Sequence, residues 1–461
     1  MYKSIKKLAI SVGIAYIFVL SIFSNFVFSS GNQNDFANSN SVAANWTVMY
    51  YICGDSNMNI YVDPLLENLS KIGSDDKLNI VCSVDRIGYG NSKLIYINGA
   101  GEQIKLNCLY GWPDEVDTNN LSTFERFCTQ MMINFPAKYY ALVVFASGGL
   151  GWQGYYIGDK DSKNVVTIPD FANSLKNIVD QTGHKIDVLV GSCAVSMIEN
   201  AYEFSPFVNY LVGTQDCLPH KNVIPMFSTA VSELKNNENL DAEGFSIQAP
   251  IKYEPISFIY QEGYNERISF ISKLFDKLPF KNLHSVVHHS ALGSINLSQV
   301  INLAASFDDL ASSLILNLKD IRGDIKNVRK QVSELGKCSP KFWFLIYFYP
   351  AHPFECLAFD CYVDSYDLVH LLKENIQNAD IKSKCGIVLE KINQTIAFVK
   401  QNNDAPNCGL SIYFPSIKFM YNKYRRMGKI PSPYEDLSFS KDTQWDEFIR
   451  AYFKIQAPKS S

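Results

Sequence analysis

Five short runs in the first half of the chain are apolar almost without interruption, and each ends in Gly, Ser, Cys or Asp. They are "WTVMYYICGD" (46–55), "KLNIVCSVD" (77–85), "YYALVVFAS" (139–147), "KIDVLVGSC" (185–193) and "YLVGTQD" (210–216). Apolarity without alternation means that both faces of each strand are covered, as in a parallel sheet between two layers of helices. Sequences with helical spacing lie between the runs, at 123–135, 168–181 and 194–204. This alternation predicts an α/β fold with an open, mostly parallel sheet flanked by helices.

The second half of the chain follows a different pattern. It has amphipathic stretches at 296–321 and 365–379, one late strand, "GLSIYFP" (409–415), and a closing helical stretch at 443–455. We therefore expect an α/β domain over 46–250 and a helical C-terminal region over 251–461, which returns the strand 409–415 to the sheet.

The N-terminus has the order of a secretory signal. Lys3, Lys6 and Lys7 precede an uncharged apolar run over residues 8–28, and Ser29, Ser30 and a glycine follow it. We expect residues 1–30 to be a signal peptide, or an uncleaved anchor, because about 20 apolar residues also suffice to span a bilayer. Residues 31–45 are polar and rich in Asn and Ser, which predicts a linker. The protein is then secreted or extracytoplasmic and meets a membrane only through its N-terminal segment.

Composition excludes some partners. The net charge is −4 without a basic stripe, so nucleic acid is not expected.

The spacing of cysteines and histidines does not indicate a metal site. The chain has 11 cysteines but no Cys-x-x-Cys pair, and its adjacent His288 and His289 are too closely spaced for a metal-binding helix face. We predict no metal and no cofactor, a monomer, and buried thiols at Cys53 and Cys82, while disulfide pairing stays open.

The strand ends carry the candidate chemistry. Ligands of open parallel sheets bind outside the carboxyl ends of the strands. Ser147, with Gly148 and Gly149, follows one strand, and Cys193 follows the next, so these residues are expected to share one site. Cys193 also precedes the helical stretch 194–204, and a helix N-terminus lowers a thiol's pKa and offers N–H donors to an oxyanion. This is a nucleophile position, although a buried structural cysteine is an alternative.

Several motifs, in order, resemble the clostripain-type cysteine peptidases of the caspase-like clan. They are "WTVMYYICGDSNM" (46–58), "VCSVDR" (81–86), "VLVGSCAVSMIENAYEF" (188–204), "GLSIYFPS" (409–416) and "LSFSKDTQWDEFIRAY" (437–452). The resemblance runs from Trp46 to about Tyr452 and implies a caspase-like sheet.

Position by position, the resemblance makes Cys193 the nucleophile. Ser147 stands where the family has its general-base histidine, just before the glycines of a His-Gly-Gly turn. Gly191 and Ser192 stand where the family tends to have Asp-Ala, whose Asp helps to bind a basic side chain at the cleavage site. Gly148, Gly149, Gly191 and Ser192 would then line the substrate site.

The missing histidine decides the predicted function. An unassisted thiol with a pKa near 8.5 is only a few per cent ionised at pH 7, and a serine hydroxyl is no base near neutrality. The sequence therefore predicts a secreted clostripain-like peptidase homologue with impaired catalysis that keeps a peptide-binding cleft for a peptide or protein ligand.

Two alternatives stay open. One is an active cysteine endopeptidase with Cys193 as nucleophile, non-basic specificity, and a substitute base at His220, four residues beyond the 210–216 run. His184 is excluded as that base, because its strand would separate it from Cys193 by about 25 Å. The other is a surface interaction protein in which the cleft has no role.

Overall fold

A nine-stranded sheet forms the centre of the fold. This computed structural model describes residues 43–146, 148–149, 151–156, 166–191, 193–215, 222–254, 257–260, 286–289, 291–332, 337–338, 361–401, 408–418, 421 and 433–454. The predicted signal segment and all but the last residues of the predicted linker lie outside the described residues. Among the residues that are described, no helix has both the length and the apolarity needed to cross a bilayer.

The strands, in chain order, are β1 (Ala44–Gly54), β2 (Leu78–Arg86), β3 (Lys93–Ile97), β4 (Gln103–Lys105), β5 (Ala137–Phe145), β6 (Gly148–Gly149), β7 (Tyr155–Tyr156), β8 (Ile186–Val190), β9 (Val208–Thr214), β10 (Ser257–Tyr260), β11 (Val286–His289), β12 (Leu292–Asn296), β13 (Lys337–Cys338), β14 (Tyr362–Asp364), β15 (Ile396–Lys400) and β16 (Ser411–Tyr413).

The α-helices, in chain order, are α1 (Asn59–Ile72), α2 (Asn107–Tyr110), α3 (Leu121–Asn134), α4 (Ile168–Thr182), α5 (Ile198–Phe204), α6 (Val223–Asn236), α7 (Ala242–Lys252), α8 (Val300–Gln331), α9 (Ser365–Asn375), α10 (Ala379–Thr395), α11 (Ser438–Asp442) and α12 (Trp445–Phe453).

The five apolar runs are the parallel part of the main sheet, whose order is β15-β12-β9-β8-β5-β1-β2-β3-β4. Strands β9, β8, β5, β1 and β2 pair in parallel, and antiparallel strands extend the sheet at both edges. The predicted fold class, a mostly parallel α/β sheet between helices, is confirmed.

Strand β1 shows why its sequence does not alternate. Met49 and Tyr51 pack into one hydrophobic layer, whereas Val48 and Tyr50 pack into the layer on the other face, and all four are fully buried. Both faces of the sheet are thus covered, which requires apolar residues at successive positions. The predicted burial of Cys53 and Cys82, one on each face, is also confirmed.

The second half contributes more strand to the main sheet than the sequence indicated. Strand β12 pairs antiparallel with β9, and β15 pairs antiparallel with β12. The predicted strand 409–415 is present as β16, but it pairs with β14 in a separate two-stranded sheet. The prediction that it returns to the main sheet is therefore wrong. Strand β12 instead pairs with β9, followed by β15. Without them, the backbone N–H and C=O groups along the edge of β9 would be unpaired.

The remaining helices pack around this sheet. The 32-residue helix α8 contacts both α10 and α12. Most of the described residues beyond residue 300 are helical, as the amphipathic stretches indicated. Residues Ala44–Ser461 form one compact unit. The division into domains at residue 250 stays a prediction.

Candidate active site

The carboxyl ends of β5 and β8 lie side by side. The two strands pair in parallel, with Val143 opposite Val190. Ala146 directly follows β5, Cys193 lies three residues beyond the end of β8, and Ser147 is the residue after Ala146. Cys193 is half-buried and Ala146 is buried. The sequence prediction that these two strand ends meet at one edge therefore agrees with the strand register.

The chain after Cys193 makes a turn before it becomes helical. Ala194 is buried and has a φ of 52°, in the left-handed region that side chains other than glycine rarely adopt. Met197 is extended, and α5 begins only at Ile198. The prediction that Cys193 opens the helical stretch 194–204 is therefore wrong, because the backbone of Ser196 is hydrogen-bonded to Thr214 of β9 and to Ser411 of β16 instead of to a helix.

Those hydrogen bonds attach the turn to β9. The N–H of Gly191 donates to the carbonyl of Val212 at 2.9 Å, and the N–H of Ser196 donates to the carbonyl of Thr214 at 3.2 Å. Asn200 Nδ2 donates to the carbonyl of Val195 at 3.1 Å. A left-handed residue costs roughly 1–2 kcal/mol, and such strain persists only where the surroundings dictate the backbone. The turn that carries Cys193 is held in this way.

Val195 lies between two glycines of adjacent strands. A Cβ built on Gly191 would lie 2.9 Å from Val195 Cγ1, and one built on Gly213 would lie 2.0 Å from the same atom. A side chain at either position would therefore require Val195 to shift. Val195 itself is buried, so its methyl groups fill the space beside Gly191 at the carboxyl edge of the sheet.

The turn that follows Ser147 packs against the start of α5. Gly148 and Gly149 pair with Tyr155 and Tyr156 in a short antiparallel hairpin. Within it, Gly151 has a φ of 62°, and a Cβ there would lie 2.5 Å from Met197 Sδ. The two strand ends are therefore in direct contact through their following loops.

A buried carboxyl group joins this region to the C-terminal strand. Glu199 accepts hydrogen bonds from the N–H of Tyr413 at 2.8 Å and from the hydroxyl of Tyr434 at 2.9 Å. Burial raises the pKa of Glu199 to about 7, against these hydrogen bonds, which lower it. Trp152, from the hairpin after Ser147, packs edge-on against the rings of Tyr413 and Tyr434. Glu199 thus lies in a cluster that includes both loops and the C-terminal region.

A second buried carboxyl group, that of Asp364 at the end of β14, lies beside Gln215, the residue that follows β9. Asp364 accepts hydrogen bonds from Gln215 Nε2 at 3.0 Å and from the N–H of Cys408 at 2.6 Å. The N–H of Gly409 donates to Gln215 Oε1 at 3.2 Å. Burial raises the pKa of Asp364 above its usual range. These contacts attach the loop before β16 to the same edge of the sheet that carries Cys193.

The sequence profile of the Clostripain family of peptidases matches residues 50–452, which is most of the chain. The chain belongs to the clostripain family.

Solved structures of clostripain-family proteases have the same fold. An inactive zymogen C11 protease from Parabacteroides distasonis superposes with a TM-score of 0.57 at 16% identity, covering 87% of this chain and 99% of its own. A secreted C11 cysteine protease from Bacteroides thetaiotaomicron, solved with an irreversible peptide inhibitor, gives 0.52 at 15% identity, covering 84% and 98%. No curated protein sequence matches the chain. At such identities the structures show a shared fold.

Three of the site residues predicted for this clostripain-family chain, Ser147, Ser192 and His220, lie outside the described residues. Cys193, Gly148, Gly149 and Gly191 are described, at the carboxyl ends of β5 and β8 or just beyond them. His184 lies before β8, at the opposite edge, where its ring packs beside Tyr140. This position agrees with its exclusion as a base.

The sequence gave no reason to place the second-half histidines near this edge, but the strand pairing does. Leu292, the first residue of β12, pairs with Thr214 at the carboxyl end of β9. His289 precedes Leu292 by three residues, so its backbone lies within about 11 Å of Leu292. Its side chain is outside the described part of the structure. Only the antiparallel pairing of β12, a contact between distant parts of the chain, reveals this proximity.

The sequence also gave no indication that three further residues contribute to this site, namely Ala194, Val195 and Glu199. A left-handed conformation is signalled by glycine or asparagine, and position 194 is alanine. Val195 and Glu199 belong to an apparently helical, apolar stretch, where a valine and a glutamate are ordinary. Their roles at this site depend on β9, β16 and Tyr434.

Proposed function

We propose that this clostripain-family chain is an extracytoplasmic peptidase homologue with impaired catalysis, which keeps a peptide-binding cleft at the carboxyl edge of its sheet. One observation carries the proposal. The residue after Ala146, which directly follows β5, is a serine, where the family resemblance implies a histidine.

The chemistry of amide hydrolysis explains the impairment. The thiol must lose its proton to attack the carbonyl carbon, and the leaving amine must gain a proton. A positioned acid or base contributes about 10²–10⁴-fold to such a step. A serine hydroxyl can donate a hydrogen bond, but it cannot take up and return a proton near neutral pH.

No described imidazole is placed to replace the missing base. Among the residues whose side chains the structure describes, the histidines are His184 and His370. His184 lies at the amino end of β8, and His370 stacks on Tyr366 on the exposed side of α9.

Retention of the cleft is supported by the turn around Cys193. Its left-handed Ala194 is energetically unfavourable. A chain that no longer used this edge would have no functional reason to keep that conformation. The N-terminal order of Lys, apolar run and small residues supports an extracytoplasmic location.

The test restores the base. In the full chain, Ser147→His should increase hydrolysis of fluorogenic peptides by at least about 100-fold, because it supplies the absent acid and base. Cys193→Ala in the same background should abolish the gain, which shows that the restored base acts through this thiol.

Substantial hydrolysis by the unaltered chain that disappears in Cys193→Ala would overturn the proposal. The protein would then be an active endopeptidase, the alternative drawn from the sequence. Separate His220→Ala and His289→Ala variants would identify which imidazole acts as its base.

A further inference from the structure

Three buried polar groups, where the loop after β5 packs on α5, have no hydrogen-bond partner in the described structure. Two are donors in the one-turn 3₁₀-helix Gly151–Gln153, namely Trp152 Nε1 and Gln153 Nε2. The third is an acceptor on α5, the carboxyl oxygen Oε2 of Glu199. Buried polar groups are nearly always paired, so unpaired ones indicate a second arrangement or a function. Here the donors lie on one loop and the acceptor lies on the other side.

The indole of Trp152 packs on the two tyrosines that hold Glu199. The N–H of Tyr413 and the hydroxyl of Tyr434 both donate to Glu199 Oε1, which leaves Oε2 without a donor. The centroid of the Trp152 ring lies 5.3 Å from that of Tyr413 and 5.1 Å from that of Tyr434. The carboxyl group and the indole therefore share the same two neighbours.

The two residues belong to the two loops of the candidate site. Trp152 is five residues after Ser147, and Glu199 is six residues after Cys193. The loops already touch, since a Cβ on Gly151 would lie 2.5 Å from Met197 Sδ. A hydrogen bond from Trp152 to Glu199 would add a polar connection between the chain that follows β5 and the chain that follows β8.

We propose that Glu199 and Trp152 form a pH-dependent latch between these two loops. In the described arrangement Glu199 is protonated and the latch is open. When the carboxyl group loses its proton to solvent, Oε2 becomes a buried charged acceptor, and the indole N–H of Trp152 turns to donate to it, because a buried charge is unfavourable without hydrogen bonds. The inference goes beyond the proposed function and holds whether or not a peptide binds at Cys193.

The surroundings of Glu199 support ionisation near neutral pH. Burial raises the pKa of Glu199 to about 7, and among the described residues its pKa is lowered by hydrogen bonds and by no cation. The tyrosines around it stay neutral in this range, because burial raises the pKa of Tyr362, Tyr413 and Tyr434 well above its ordinary value. The group that titrates between these rings is therefore the carboxyl group.

Other ionisable groups lie beyond the tyrosines. They are Cys361, Tyr421, Glu435 and Asp446. Burial raises the pKa of Asp446, and Arg450 of the same helix pairs with it at 2.7 Å. On α5 itself, burial raises the pKa of Glu203, which accepts hydrogen bonds from Ser438. An experiment must therefore separate Glu199 from Asp446 and Glu203.

The indole N–H signal of Trp152 reports the latch directly. In the full chain with 15N at the indole nitrogens, each of the five tryptophans gives one signal, and Trp152→Phe assigns this one. From about pH 5.5 to 8.5, the signal should move downfield, as for a hydrogen-bonded N–H, with a midpoint near pH 7. At about pH 8 its exchange with solvent should be at least about 10-fold slower than in Glu199→Gln at the same pH, since a hydrogen bond to a charged group is added.

The variants separate Glu199 from the other acids. Glu199→Gln keeps an oxygen for Tyr413 and Tyr434 but places an NH₂ group at Oε2, which cannot accept from Trp152, so the shift should disappear. Glu203→Gln is the matched control on the same helix and should leave the midpoint unchanged. The indole N–H of Trp112 is also buried and unpaired among the described residues, and its signal should not titrate.

Two results would overturn the latch. One is a Trp152 signal that stays constant over this pH range. The other is a titration that persists in Glu199→Gln, which would assign it to another group such as Asp446. Should Glu199→Gln not fold, the unaltered chain and Glu203→Gln still decide, because a constant Trp152 signal in the first or a lost titration in the second contradicts the proposal.

Discussion

At the scale of single residues, the most unusual position is Ala194. It is buried and left-handed, directly after the half-buried Cys193. Its backbone is held by the contacts of the next residues with β9, described above. The conformation orients the turn that carries the thiol, and the free energy it costs is supplied by those contacts.

Replacing Ala194 measures that cost. Ala194→Gly should leave the free energy of unfolding unchanged or raise it by up to about 1 kcal/mol, since relief of strain offsets the greater backbone freedom of glycine in the unfolded chain. Ala201→Gly, on the ordinary helix α5, is the matched control and should lower it by about 1 kcal/mol. Urea unfolding of both variants gives the comparison. Equal losses in the two variants would show that Ala194 is not strained.

At the scale of elements, the close packing of the turn on β8 and β9 depends on reciprocal residue sizes. Val195 fits because Gly191 and Gly213 have no side chains. Protein interiors are packed as densely as organic crystals, so changes at either side of this contact should not be independent.

A double-mutant cycle tests whether the residues at positions 195 and 213 are energetically coupled. Gly213→Ala should lower the free energy of unfolding by about 1–3 kcal/mol through overpacking. Val195→Ala should lower it by a similar amount through the cavity that it leaves. The double variant should lose less than the sum of the two, with a coupling of about 0.5–3 kcal/mol.

Gly323→Ala on α8 is the control for that cycle. A Cβ there meets nothing within 4 Å, so the change should stabilise the helix by about 0.5–1 kcal/mol and add to the effect of Val195→Ala. If the effects of Gly213→Ala and Val195→Ala on the free energy of unfolding were also additive, the close packing of Val195 on Gly213 would be contradicted.

At the scale of the whole molecule, buried carboxyl groups connect the sheet edge to the C-terminal region. Glu199 binds Tyr413 and Tyr434, and Asp364 binds Gln215 and Cys408. Residues more than 140 positions apart in the sequence are joined in this way. Their protonation therefore affects the stability of the entire fold.

The pH dependence follows from Glu199. Its pKa in the folded protein is about 7, against 4.5 ordinarily, so folding favours the protonated acid. Between these two pH values the folded state holds a proton that the unfolded state has lost. The contribution of Glu199 is therefore fully present below about pH 4.5 and is lost as the pH rises to 7, a change of up to about 3 kcal/mol.

Urea unfolding of the unaltered chain and of Glu199→Gln, from pH 5 to pH 8, tests this expectation. The amide keeps an acceptor for Tyr413 and Tyr434 but does not titrate. The unaltered chain should lose stability relative to the variant as the pH rises, while the titrations of other groups, such as Glu203 and Asp446, cancel in the difference. If the free energies of unfolding of the two proteins changed in parallel with pH, the expected contribution of Glu199 would be contradicted.

The sequence alone determined the parallel core of the sheet, the burial of Cys53 and Cys82, and the place of Cys193 at a strand end. These follow from local patterns, because a doubly covered strand must be apolar at successive residues and a parallel sheet brings its strand ends to one edge. The family motifs added Ser147 and Gly191 as predicted site residues, and these assignments stay predictions.

Only the tertiary structure decided that β12 and β15 complete the sheet, that β16 pairs with β14, that α5 begins at Ile198, and that Val195 occupies the space of two side chains. Each of these depends on contacts between residues far apart in the chain. Local periodicity carries no information about such contacts, because the same apolar stretch can end in a helix or a turn according to the strand that lies beside it.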